Sequence, residues 1–450
     1  MSDDEERLPA WSEALASARD ELPSSDVLHC SVATVSTHSC VLVRWDFGRQ
    51  GGTFGVAEAA VFESATRTAI EARLPLVTIT RSGGTRLPEG MRALVGIPRA
   101  ALALSDLRAA GLPHLSVADN PTTGGVWVAI GTQADLRFAI SGGVVAFSGP
   151  RVVPVMTGRE LAPGSNTAEA AYDAGLVDAI GSHDDAGAWL ATALTALSAE
   201  TSDKHEALET PSAASPPQAD GAEQFAATRK VTRPSGNDLI DQLLTNRVEL
   251  RSSDDATRAV IGRLSGRRVV AVALAARRGG MPAPAGFGLL GRAARLAGAL
   301  DLALITLIDT PGADPHTEAA GLSAAIAAAM TEVLVTPAPT VALLHGEGGS
   351  GGALAAATVD LLGVGEHGWF GALGPDGAAA ALRSTPAEAA RLMRITPQEL
   401  VEDGVADAFV ATGGAAGWIA AAIDVLRRDQ TEQRLARRRG RWSSPLPEIG

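Results

Sequence analysis

Residues 345–360 read HGEGGSGGALAAATVD, and five of the first eight are glycine. The run before them, APTVALLH (338–345), is apolar and β-branched and predicts a buried strand, whereas GGALAAATVDLLG (351–363) is rich in Ala and Leu and predicts a helix. The glycines therefore sit at a strand-to-helix turn. The first amides of a helix lack partners within it and point at whatever lies ahead, and glycine lets a ligand oxygen come close to them.

Three motifs compete for this stretch. A phosphate-cradling P-loop needs Lys and then Ser or Thr after the last glycine, but Lys204 and Lys230 are the only lysines in the chain, which excludes it. Gly348, Ser350 and Gly352 match the GxSxG nucleophile elbow, yet the one histidine that follows, His367, is only seventeen residues on. Gly346, Gly348 and Gly351 match the dinucleotide fingerprint GxGxxG, with Glu366 twenty residues after Gly346 where a ribose-binding carboxylate would stand.

An internal repeat decides between them. The first half carries DFGRQGGTFG (46–55), TRSGGTRLPEG (80–90), NPTTGGVWVAIGTQADL (120–136) and AFSGPRVV (146–153). The second carries ARRGGMPAPAG (276–286), IDTPGADPHTEA (308–319), EGGSGGALAAATVDL (347–361) and ALGPDGAAAAL (372–382). Gly52 to Gly84 and Gly280 to Gly312 both span 32 residues; Gly84 to Gly125 spans 41 against 40 from Gly312 to Gly352; Gly125 to Gly149 spans 24 against 22 from Gly352 to Gly374. What recurs is a pair of glycines after a strand, not GxGxxG, so the dinucleotide reading falls. A second glycine turn about forty residues earlier in each half suggests backbone donors converging on one oxygen, an oxyanion hole in each half.

The 450 residues suffice for two or three cored domains. No apolar run approaches the roughly eighteen residues of a membrane span, and the acidic start MSDDEERLPAW is unlike a secretory signal, so a soluble cytoplasmic protein is expected. Cys30 and Cys40 lack a CxxC partner, which predicts neither zinc ribbon nor disulfide framework, and no bound metal. A net charge of −13 argues against nucleic acid as a partner, although 36 of 38 basic residues are arginines and leave room for a local anion site. Strand-like runs (VLVRWDF, LPLVTIT, LPHLSVA; then RVVAVALA, LALITLIDT, TVALLH) alternate with helical ones, so each half is an α/β unit. The expected divisions are an N-terminal extension (1–27), a first domain (28–198), a flexible Ser/Pro/Ala-rich linker (199–231), a second domain (232–430) and a basic C-terminal tail (431–450).

The motifs SGGTRLPEG, NPTTGGV and FSGPRVV resemble the β-type half of the carboxyltransferase of acetyl-CoA carboxylase, and RPSGNDLIDQL, GGMPAPAGF, IDTPGADP, GEGGSGGAL and GPDGAAAAL resemble its α-type half. The fused arrangement is similar to the β-type chains of actinobacterial acyl-CoA carboxylases. The resemblance implies tandem crotonase-like domains built from ββα units. It also implies carboxyl transfer from N-carboxybiotin to the α-carbon of acetyl-CoA or propionyl-CoA. The Gly124 and Gly125 amides, joined by that near Thr85, would hold the thioester oxygen, and those of Gly352 and Ala353, with one near Ala313, the biotin urea oxygen. Gly84, Gly312, Gly349 and Gly351 would line these pockets, and Arg86 and Arg151 read either as contacts to CoA phosphates or as solvated side chains.

Neither lysine has the flanking Met of a biotin attachment site and no ATP-binding segment is visible, so biotin and its carboxylation are expected on a partner biotin carboxylase/carrier chain. The family's active site, formed between the first-half domain of one protomer and the second-half domain of another, implies a homo-oligomer. A biotin-independent malonyl-thioester decarboxylase and a noncatalytic assembly subunit are the alternatives. Glu89, Glu318 and Glu347 read as helix-start partners or as acids and bases, Asp135 and Asp360 as structural, His345 as packed, and Leu354 and Ala355 as setting acyl-chain preference.

Overall fold

The computed structural model describes residues 16–150, 152–198, 215–216, 218–230 and 232–443. Two compact units divide at Ser198/Ala199. Unit 1 holds β1 (Ala16–Glu21), β2 (Leu28–Val35), β3 (His38–Trp45), β4 (Leu76–Ser82), β5 (His114–Thr123), β6 (Leu136–Ile140), β7 (Val145–Ala146) and β8 (Ala179–Gly181). Its sheet runs β1-β2-β3-β4-β5-β6-β8, with β7 on β5. Unit 2 holds β9 (Thr245–Leu250), β10 (Thr257–Leu264), β11 (Arg267–Leu274), β12 (Ala303–Thr310), β13 (Thr340–Gly349), β14 (Leu361–Gly365), β15 (Trp369–Gly371) and β16 (Ala408–Val410). Here the order is β9-β10-β11-β12-β13-β14-β16, with β15 on β13, the same path position by position. In both, the first three strands pair antiparallel and the rest parallel.

The parallel strands explain the sequence signal. β12, ALITLIDT, is buried at every position because helices cover both faces, so it reads as a continuous apolar run. In unit 1, α1 (Val56–Ala72) and α2 (Gly96–Ala109) pack apolar faces onto a core containing Trp45, Phe54 and Phe62. A three-residue turn, α3 (Gly124–Val126), leaves β5, and α4 (His183–Leu197) closes the unit. Unit 2 starts with α5 (Gly221–Lys230) and α6 (Gly236–Leu243), places α7 (Pro284–Ala299) and α8 (Leu322–Val335) between strands, and sets α9 (Ser350–Ala357) after β13. It ends with α10 (Ala415–Arg427) and α11 (Thr431–Ser443). No helix among the described residues is long and apolar enough to cross a membrane.

Three expectations about the edges differ from the structure. Residues 16–21 of the expected extension form β1, which pairs with β2 from Ala16 opposite Val35 to Glu21 opposite Ser31. Residues 221–230 of the expected linker form α5, because Phe225 buries itself against Trp369 and the Gln224 amide donates to the Glu366 and Gly368 carbonyls, both at 3.0 Å. Residues 431–443 of the expected tail form α11, held by buried Arg434 and Arg438. Residues 1–15, 199–214, 217, 231 and 444–450 of these segments lie outside the described residues, as does Arg151.

Candidate functional site

Each unit brings two turns together at the carboxyl ends of its parallel strands. In unit 1 these follow β4 and β5. Gly84 and Gly124 have φ of 103° and 66°, and a Cβ on Gly124 would stand 2.9 Å from the Gly84 Cα, so the contact requires glycine on both sides. Ser82 Oγ fixes the first turn by accepting from the Gly84 amide at 3.0 Å. Phe54 then donates to the Gly84 carbonyl and accepts from the Arg86 amide, at 2.8 and 2.9 Å, so the Thr85 amide between them turns away from Phe54. It lies beside Gly124, where an added Cβ would be 3.7 Å from the Thr85 nitrogen. The Gly125 amide follows in the next turn.

Unit 2 repeats this. Thr310 Oγ1 accepts from the Gly312 amide at 3.2 Å, as Ser82 does from Gly84. Pro282 accepts from Asp314 at 3.0 Å, as Phe54 does from Arg86. Gly349 passes so close to the other turn that a Cβ would lie 1.8 Å from the Pro311 carbonyl oxygen, and one on Gly352 would lie 2.8 Å from the Ala313 nitrogen. Thr85, Gly125, Ala313, Gly351 and Gly352 donate their amides to no other described residue. Each unit can therefore offer at least two converging N–H groups to an oxygen that gains negative charge.

The structure changes the expected donor sets in one place. The Gly124 amide donates to the Phe147 carbonyl at 2.9 Å and is already used, leaving Gly125 and Thr85. The Ala353 amide, on the fourth residue of α9, makes no hydrogen bond to the Gly349 carbonyl one turn back and stays in the second set. Strand register supplies the correspondence between units: Ser82 pairs with Thr122 and Thr310 with Gly348, so Gly124 matches Ser350 and Gly125 matches Gly351. Ser350 indeed has φ of 62°, the left-handed backbone that Gly124 adopts in unit 1.

Arg86 does not face a ligand. Its guanidinium pairs with Glu58 at 2.9 Å and Glu89 at 3.1 Å and donates to the Thr53 carbonyl at 2.7 Å, so it is a buried brace of the first turn. Glu89 accepts from the Val56 amide at the start of α1, and that bond, with Arg86, holds its carboxyl below the usual range. Glu318 accepts from the Ser323 hydroxyl, and Glu347 pairs with Arg229 at 3.2 Å. His345 encloses its Nε2 without a partner, and burial, aided by Arg233, pulls its pKa down to about 3. Asp135 and Asp360 accept from the first amides of β5 and β13, each at 2.9 Å, which is structural work. Leu354 is partly buried and Ala355 fully buried in α9.

Sequence reasoning missed the buried Arg233–Asp309 pair, 2.5 Å apart, beneath the second turn. Asp309 also accepts from the Glu347 amide at 2.8 Å, which ties β12 to the glycine run of β13. The only sequence signal was a charged residue inside an otherwise apolar strand. Among the described residues no three His, Cys, Asp or Glu side chains gather as a metal site, and Cys30 and Cys40 are buried thiols that burial pushes up to about 12.

Fold and site define a tandem α/β protein with one glycine turn per half that presents unspent backbone amides. Residues 195–437 match the family model described as acetyl co-enzyme A carboxylase carboxyltransferase-like. The chain is 37% identical over 424 residues to the acetyl-coenzyme A carboxylase carboxyl transferase subunits beta/alpha of Salinispora tropica, covering 88% of this chain and 75% of that one. It is 31% identical to a probable biotin-dependent acyl-coenzyme A carboxylase beta3 subunit of Mycobacterium tuberculosis, covering 96% of this chain and 92% of that one. A crystal structure of transcarboxylase 12S, titled as a hexamer assembly with hydrolysed methylmalonyl-coenzyme A bound, superposes with a TM-score of 0.78 at 17% identity, covering 93% of this chain and 89% of that one. The chain belongs to the carboxyltransferase family of acetyl-CoA and acyl-CoA carboxylases, and its fold is a tandem of crotonase-like domains.

Proposed function

We propose that this chain is the carboxyltransferase component of a biotin-dependent acyl-CoA carboxylase, adding a carboxyl group to the α-carbon of acetyl-CoA or propionyl-CoA. The observation that carries the reading is the pair of equivalent turns, one for each of two carbonyl oxygens that gain charge during the transfer. In unit 1 the Thr85 and Gly125 amides hold the thioester oxygen as the α-carbon loses its proton and negative charge moves onto that oxygen. These donors are fixed before reaction by Ser82, Phe54 and the Gly84–Gly124 contact, so little reorganisation is needed. In unit 2 the Ala313 amide, with those of Gly351, Gly352 and Ala353, fits the urea oxygen of biotin, and the bare glycine surface there would be filled by any Cβ at Gly352. Bound biotin, carried by a partner chain, supplies the carboxyl group and a nitrogen that takes the α-proton. Arg86 and Glu89 brace the first turn and do not exchange protons with substrate.

With Lys204 and Lys230 as its only lysines and no biotin-attachment motif, the chain depends on a partner biotin carboxylase/carrier chain and works as a homo-oligomer. The test is the reverse half-reaction. Purified protein is mixed with malonyl-CoA or methylmalonyl-CoA, with and without free biotin as acceptor, and release of acetyl-CoA or propionyl-CoA is followed. Biotin-dependent release is expected, and the preferred thioester reports the acyl chain. Equal release without biotin would replace this reading with a decarboxylase.

A further inference from the structure

In unit 1 the space beside Gly125 that a side chain would take is already filled from another element. A Cβ added to Gly125 would lie 2.4 and 2.7 Å from Cδ1 and Cγ1 of Ile97, and 3.3 Å from Thr85 Oγ1. The tip of Ile97 thus abuts one amide donor at a point that also borders the other.

The position of Ile97 is tied to the turn itself. It is the second residue of α2, and Gly96 before it lets the start of that helix press on α1 and Phe54, since a Cβ at 96 would stand 3.0 Å from Ala59 Cβ and 3.4 Å from Phe54 Cε1. Phe54 also holds the 84–86 turn, through its own amide and carbonyl. One aromatic residue therefore sets both the donor turn and the depth at which Ile97 meets it. Ile97 packs against the core of unit 1 yet is only partly buried.

An oxygen held by the Thr85 and Gly125 amides sits about 2.9 Å from each nitrogen. In a thioester the carbonyl carbon is about 1.2 Å from that oxygen, and the α-carbon about 1.5 Å further. An alkyl group on the α-carbon therefore starts within van der Waals reach of a side chain that already touches Gly125. Ile97 has no proton to exchange and no hydrogen bond to offer, so what it can impose on that group is size. Ala355, one of the two residues expected beside the second turn to set acyl preference, is fully buried in α9 and has no surface for a ligand.

We propose that Ile97 is a specificity-determining residue of the unit 1 site, forming one wall of the space for the alkyl group on the α-carbon of the substrate. The proposal rests on the carboxyl-transfer reading and adds to it the element that limits the acyl chain. Ile97→Ala removes most of that wall and admits a longer chain, whereas Ile97→Phe advances the wall and excludes one.

The test is biotin-dependent release from malonyl-CoA, methylmalonyl-CoA and ethylmalonyl-CoA by the full-length protein and its variants, read as ratios of kcat/KM. A methylene that fits or fails to fit an apolar pocket changes such a ratio by roughly 10–200-fold. Ile97→Ala is expected to raise the ethylmalonyl-to-malonyl ratio about tenfold or more, Ile97→Val to raise it less, and Ile97→Phe to lower it. Leu102→Ala, at an exposed position of the same helix, should leave it at the wild-type value. A purely structural role for Ile97 would slow all three thioesters alike and keep the ratio constant, which would overturn the proposal. Melting temperatures identify any variant that fails to fold, and Ile97→Val, which loses a single methyl group, keeps the ratio measurable if Ile97→Ala does. Wild-type protein with no biotin-dependent release from any of the three would instead remove the carboxyl-transfer reading, and the proposal with it.

Discussion

Gly349 is the tightest point of the second turn, since an added Cβ would overlap the Pro311 carbonyl at 1.8 Å, a backbone atom that cannot swing aside. Gly349→Ala is therefore expected to lose about 3 kcal/mol of stability, read as a lower urea midpoint. Gly351 has nothing within 4 Å of such an atom, so Gly351→Ala should leave the midpoint where it was. The recurrence of paired glycines made these positions readable from sequence. The sequence could not show that Gly124 spends its amide on Phe147, because that bond joins residues 23 apart in a loop whose path depends on β7 pairing with β5. Arg86 was misread for a similar reason. Its partners Glu58 and Thr53 lie on the segment before and within α1, and nothing local to TRLPE announces them.

At the level of elements, one device recurs. Asp135 and Asp360 accept from the first amides of β5 and β13, each at 2.9 Å, and Asp178 and Asp407 from the second amides of β6 and β14, at 2.9 and 2.7 Å, locking neighbouring strands at their starts. Asp360 also pairs with Arg438 at 2.6 Å, and that fully buried guanidinium donates to the carbonyls of Val333, Thr336 and Ala338 at the end of α8. Asp360→Asn removes the carboxylate and leaves a buried cation, which should cost about 3–5 kcal/mol in equilibrium denaturation. The strands and long helices were readable because their apolar periodicity belongs to the segment itself. α5 and α11 were not, since ARRRGRW and GAEQFAATRK look solvated until the carbonyls and aromatic rings they cover are in place. An arginine helix buried by its hydrogen bonds has the composition of a tail.

For the whole molecule, each unit carries a histidine that burial keeps neutral, His114 and His345, both pulled down to about 3. Between that value and the ordinary histidine pKa near 6.5 the unfolded chain binds protons that the folded chain refuses, so stability is present above about 6.5 and falls as pH drops below it. The slope approaches about 1.4 kcal/mol per pH unit for each histidine. Urea midpoints at pH 7 and 5.5 should fall accordingly, and His345→Asn should flatten the loss in the second unit. A pH-independent midpoint would contradict this origin. The proposed chemistry uses the same two-unit organisation, one donor turn in each. The most direct measurement is biotin-dependent acetyl-CoA or propionyl-CoA release by wild type and Gly352→Ala, each checked for an unchanged fold by circular dichroism. A Cβ at 352 crowds the Ala313 amide and should slow release about 10²–10³-fold. A folded Gly352→Ala protein that turns over at the wild-type rate would contradict the assignment of the second turn as the site that stabilises charge.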